Sequence, residues 1–183
     1  MKKDTIFQFV GFVTNLDFEE FVTKWEPFAK RFMHKNVETT LQELDQKKGK
    51  FNYVSQHQWS QDDFQFEFME GKKGAEHFPE HTVKVVQAGG YTPMQIESGH
   101  NEINDLVKVM AFTGHNENDI DFYKKSPSYR YLNIYEAYYE SCTYAYIMEF
   151  FVEETQVEEL MLQLKTRTGI ETSVYKECPV LHA

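Results

Sequence analysis

The segment His77-Phe78-Pro79-Glu80-His81 has the order His-x-x-Glu-His. In a helix that order brings two imidazoles to one metal ion, beside a carboxylate able to act as a base. Pro79 changes the expectation, because proline prefers the first position of a helix and a helix starting there leaves His77 outside. Glu76, His77 and His81 stand as metal candidates, with a solvated loop or helix start as the plainer reading. His57 and Trp59 form a second candidate. They lie with Tyr53 on one face of an alternating segment, where burial would keep the imidazole neutral and able to serve as a base or ligand. The plainer reading is a hydrogen-bonded core histidine.

His100 and His115 bound the segment 102–113 and are read as solvated loop residues. The run 87–95, with Gly89, Gly90 and Pro93, lets the backbone approach a ligand or a neighbouring sheet closely, but it lacks the lysine and spacing of a phosphate loop. Tyrosines crowd the segment 129–146, where an ordinary core would carry Leu, Ile or Val. Tyr135, Tyr144 and Tyr146 could therefore line a ligand pocket with rings and hydroxyls, or form a dimer interface.

These residues need elements to hold them. Ile6 to Val13 is apolar on both alternating faces and predicts a strand covered on both sides. Asp17 with Glu20 starts a helix whose apolar stripe runs from Phe18 to Phe32, and Pro27 should kink or split it. Phe51 to Trp59 and Phe64 to Phe68 predict a hairpin turning at Ser60 to Asp63. A short helix is expected over Gly74 to His81. The strand Val83 to Ala88 follows, and Gly89-Gly90 is then either a tight turn or a bulge in one long strand.

In the second half Leu106 to Thr113 reads as a strand, although its apolar spacing also suits a helix. Glu117 to Lys125 reads as a helix, and Tyr129 to Tyr139 with Thr143 to Val152 as a hairpin across Glu140 to Cys142. Tyr144, Tyr146, Met148 and Phe150 should share one face of the second strand. A helix capped by Thr155 with Glu158, and a last strand from Ile170, complete the chain.

Both halves, 1–100 and 101–183, thus predict β-α-β-β-α-β. The fold class is α+β, as tandem ferredoxin-like units forming one compact unit. Two such units in one chain resemble the dimeric α/β-barrel proteins, on element order alone. The resemblance implies antiparallel sheets packed face to face with helices outside. Its members include oxygenases, haem-dependent enzymes, isomerases and stress proteins, so it leaves the reaction open.

The charge narrows the partners. Nineteen Lys and Arg stand against 29 Asp and Glu, a net charge of −10 that repels nucleic acid and anionic membrane. RNA binding by ring stacking would also need basic flanks that this chain lacks. No apolar run reaches the roughly 20 residues of a membrane helix. Cys142 and Cys178 lack disulfide-framework, zinc or redox spacing, which fits a cytoplasmic protein with reduced thiols. The expected function is a small-molecule binding protein or small enzyme, its ligand held between the two sheets by His57, Trp59, Tyr135, Tyr144 and Tyr146, with His57 as the catalytic candidate. The alternative is a non-catalytic oligomerising protein of the stress-response type, such as a homodimer. Neither the cofactor nor the reaction follows from any motif.

Overall fold

The computed structural model describes residues 5–33, 38–44, 51–64, 82–97, 105–114, 117–125, 128–166 and 171–177. Strand β1 (Thr5–Thr14) leads into α1 (Phe18–Met33), followed by β2 (Glu38–Leu44), β3 (Tyr53–Ser60) and β4 (Val83–Gln95). The second half carries β5 (Val107–Thr113), α2 (Glu117–Tyr123), β6 (Tyr131–Ala137), β7 (Tyr146–Val152), α3 (Val157–Lys165) and β8 (Glu171–Glu177). Neighbouring strands pair antiparallel around a closed barrel in the order β1-β3-β2-β8-β5-β7-β6-β4. Each half contributes four consecutive strands in the same relative order, and the halves meet at the β2–β8 and β4–β6 seams. The helix expected over Gly74 to His81 and the boundary near residue 100 lie outside the described residues. No described helix is long and apolar enough to cross a membrane.

Alternation of side chains divides the core into layers. Phe9, Val54, Tyr91, Met110, Phe112, Tyr135 and Ile147 come from six strands of both halves yet form one cluster, which places them inside the barrel. The intervening residues face the helices. Val10, Phe12 and Tyr53 pack under Phe21, Trp25 and Ala29 of α1, and Val109, Leu132, Met148 and Phe150 pack under α2 and α3. Helix α1 starts as expected, with the Glu20 amide donating to Asp17 Oδ1 at 2.9 Å.

Several expectations need correction. Pro27 does not split α1, which runs on to Met33, because Trp25 and Ala29 dock on the sheet from either side of it. Phe64 does not lie on a hairpin strand. Ser60 caps a helical turn at 61–64 by accepting the Asp63 amide at 3.2 Å, and β3 instead pairs with β2, a strand absent from the sequence reading. Phe66 and Phe68 lie outside the described residues. Strand β4 runs unbroken through Gly89-Gly90, and its irregularities fall on either side, at Val86, the extra residue opposite Gly11 and Phe12, and between Pro93 and Gln95 in the pairing with β6. The segment Val107–Thr113 is a strand. Thr155 does not cap α3. It lies in a 3-10 turn, and the N-cap is Gln156, with no side-chain cap bond.

Candidate functional site

The sequence-selected residues go to three different places. Tyr135 and Tyr144 lie in the barrel interior, whereas Tyr146 packs on the helix side among Ala111, Met148 and Leu160. Tyr144 and Tyr146 do not share a face because Tyr144 precedes β7, in the turn that carries the chain back from β6. His57 and Trp59 are on the helix side of β3, paired with Gln8 and Ile6 of β1. The five residues do not line one pocket. His77, His81 and Glu76 lie outside the described residues, as do His100 and His115.

His57 is fully buried and shares a 3.0 Å hydrogen bond between Nε2 and Ser55 Oγ. Burial pulls its pKa down to about 3, so it is neutral at ordinary pH. Trp59 donates its indole N–H to Gln8 Oε1 at 3.0 Å and packs with Ile6, Phe64, Tyr138 and Tyr139. Its neighbours come from both halves, since the helical turn at 61–64 lies across the β4–β6 seam.

The polar chemistry of the interior is elsewhere, around Glu149. This carboxylate is 2% exposed and points into the barrel from the middle of β7. Its Oε1 accepts from Lys108 Nζ at 3.3 Å. Its Oε2 accepts from the Tyr135 hydroxyl at 2.9 Å and from Asn133 Nδ2 at 3.2 Å. Burial, and secondly the Glu149 charge, push the Tyr135 phenol well above its ordinary pKa, so it remains a donor, with hydrogen bonds from Asn133 and Gln56 acting the other way. Phe7 and Phe9 hold the Tyr135 ring, each with its centroid 5.0 Å away. Lys108 Nζ sits 5.4 Å from the centroid of the Phe151 ring. Asn133 Oδ1 accepts the Glu97 amide at 3.1 Å, which ties the chain leaving β4 to the same network.

Exposure along the described inner face differs between its two ends. At one end Phe51, Tyr91, Phe112 and Tyr144 are buried, and the Tyr91 hydroxyl donates to the Tyr144 carbonyl at 3.1 Å. Toward the other, where β1, β5 and β6 begin, Phe7, Gln56, Lys108 and Tyr131 are half-buried and Gln58 is exposed. The Glu149 network therefore lies toward the end of the interior where the described inner-face side chains are the more exposed. Sequence reasoning missed it, although a signal was there: Glu149 is the single charge in the apolar run from Tyr146 to Val152, and Lys108 interrupts Val107 to Ala111 in the same way.

The arrangement offers a carboxylate acceptor and an ammonium donor at one point, flanked by rings. Among the described residues no three His, Cys, Asp or Glu side chains gather as a metal site. His57, the one histidine among the described residues, is buried on the helix side of β3, so the described inner face presents no imidazole.

No family model matches the sequence, and no curated protein matches it. Solved structures do match the fold. A mutant chlorite dismutase from Candidatus Nitrospira defluvii superposes with a TM-score of 0.57 at 7% identity, covering 96% of this chain and 93% of that one. Another mutant of that enzyme, in complex with cyanide, gives 0.55 at 8%, covering 96% and 92%. An anthrone oxidase-like protein gives 0.54 at 9%, covering 99% and 92%. The likeness is one of fold, which in this chain is α+β: a closed antiparallel barrel with helices outside.

Proposed function

We propose that this protein binds a small molecule in a mouth at the more exposed end of the barrel, with Lys108 and Glu149 as the polar contact and Tyr135 and Asn133 holding the carboxylate in place. The observation that carries the reading is Glu149 itself. Burying an ion pair costs several kcal/mol in desolvation, and well-packed apolar residues often replace such a pair with no loss of stability. A charged network at the floor of an aromatic, half-open space is better accounted for by recognition than by packing. Tyr144, at the sealed end, would close the pocket. The halves 1–100 and 101–183 are read as tandem ferredoxin-like units, supported by the repeated strand order. The fold neighbours are named for small-molecule chemistry, which agrees with this reading.

A native mass spectrum of protein purified from its own host tests it. Wild type is expected to retain a small molecule that a Gln56→Trp variant, its mouth obstructed, does not. Retention by both proteins, or by neither, would contradict the proposal.

A homodimer is a second and compatible reading. Met94, near the end of β4, and Ile96, just beyond it, are both exposed. Sedimentation of Met94→Glu against wild type distinguishes a dimer built there from a monomer.

A further inference from the structure

We infer that the group recognised at the mouth is a neutral hydroxyl on an aromatic ring, a phenol-type oxygen. This rests on the reading of the mouth as the binding site and adds the chemistry of the ligand. A carboxylate has about four acceptor positions. Three are filled, two on Oε2 by Tyr135 and Asn133 and one on Oε1 by Lys108. The remaining position is on Oε1, the oxygen on the Lys108 side. Lys108 has three N–H donors, one of them directed at Glu149, and its side chain is 17% exposed against 2% for the carboxylate. An incoming atom at this point meets a donor and an acceptor together.

A hydroxyl oxygen satisfies both, accepting from Lys108 while donating to Glu149. An ether, a carboxylate and an ammonium each satisfy only one. An ether oxygen accepts only. A carboxylate also accepts only, and it adds a second anion beside Glu149 when the Lys108 charge is already matched. An ammonium donates only and opposes Lys108. The walls select what bears the hydroxyl. Phe151 lies beneath Lys108, and Phe7 and Tyr131 are half-buried on the inner face, so rings flank the polar point.

Saturation-transfer NMR with phenol, anisole and benzoate, each titrated separately, tests the inference. Phenol is expected to bind wild type about tenfold or more tightly than either, the cost of one hydrogen bond to a charged group. In Lys108→Met, checked for folding by circular dichroism, phenol and anisole should both bind more weakly, while the preference for phenol, which comes from its donation to Glu149, is kept. Equal binding of phenol and anisole to wild type, or tightest binding by benzoate, would overturn the hydroxyl while leaving the mouth as the site. Binding by none of the three would also overturn it, and the retained-molecule measurement would then judge the mouth separately.

Discussion

Tyr135 on β6 donates its hydroxyl to Glu149 on β7 across 2.9 Å inside the barrel, and this bond organises the polar floor of the interior. Replacing Tyr135 with Phe keeps the ring between Phe7 and Phe9 but takes a donor from a buried carboxylate. Hydrogen bonds to charged groups are worth about 1.5–3 kcal/mol, so urea unfolding of Tyr135→Phe should show a loss of that order. An unchanged midpoint would mean that water reaches Glu149 freely.

Gly90 leaves room for a ring. A Cβ built there would stand 2.4 Å from Phe64 Cζ and 3.2 Å from Ile6 Cγ2, so Phe64 must move in Gly90→Ala. Overpacking of this kind costs about 1–3 kcal/mol. Combining it with Phe64→Leu should recover part of the loss, and the coupling in a double-mutant cycle measures the contact. Strict additivity would show that the turn at 61–64 is not seated on the seam.

His57 makes stability depend on pH. Its folded pKa is about 3 and its unfolded value 6.5, so between those limits the unfolded chain binds a proton that the folded chain refuses. The contribution is complete above the unfolded value and is lost as pH falls from 6.5 toward 3, by about 1.4 kcal/mol per pH unit. Denaturation of wild type and His57→Gln at several pH values isolates it. Parallel curves would show His57 to be hydrated in the folded protein.

Trp25 docks α1 and is fully buried. Trp25→Ala should cost about 3–5 kcal/mol. Its indole N–H has no hydrogen-bond partner among the described residues, so Trp25→Phe should cost clearly less. Equal losses for the two variants would show that the indole N–H matters after all.

The elements easiest to read were those whose apolar pattern is decisive. Ile6 to Val13 announces a strand buried on both faces, and the stripe Phe18, Phe21, Trp25, Ala29 announces α1. Strand β2 was illegible because Glu38–Leu44 is largely polar and is held by pairing with β3 and β8, which is information from distant parts of the chain. The aromatic alternation after Ser60 imitated a strand, but a local cap decided for a helical turn. For the site, periodicity grouped His57 with Trp59 correctly and could not say which side of β3 faced the barrel. That choice follows from closure of all eight strands, and it turned His57 toward the helices and Glu149 toward the interior. Attention to titratable histidines passed over a carboxylate whose apolar neighbours marked it.

The most direct measurement of the central claim uses Met110, which stands opposite Glu149 in the β5–β7 register and is fully buried inside the barrel. Methyl-labelled methionine NMR, recorded while a low-molecular-mass extract of the host's cells is titrated in, reports on the interior through Met110 and on the helix layer through Met161. The account predicts a saturable shift of the Met110 methyl with Met161 unmoved. A shift of Met161 or Met94 with Met110 unchanged, or no shift at all, would contradict it.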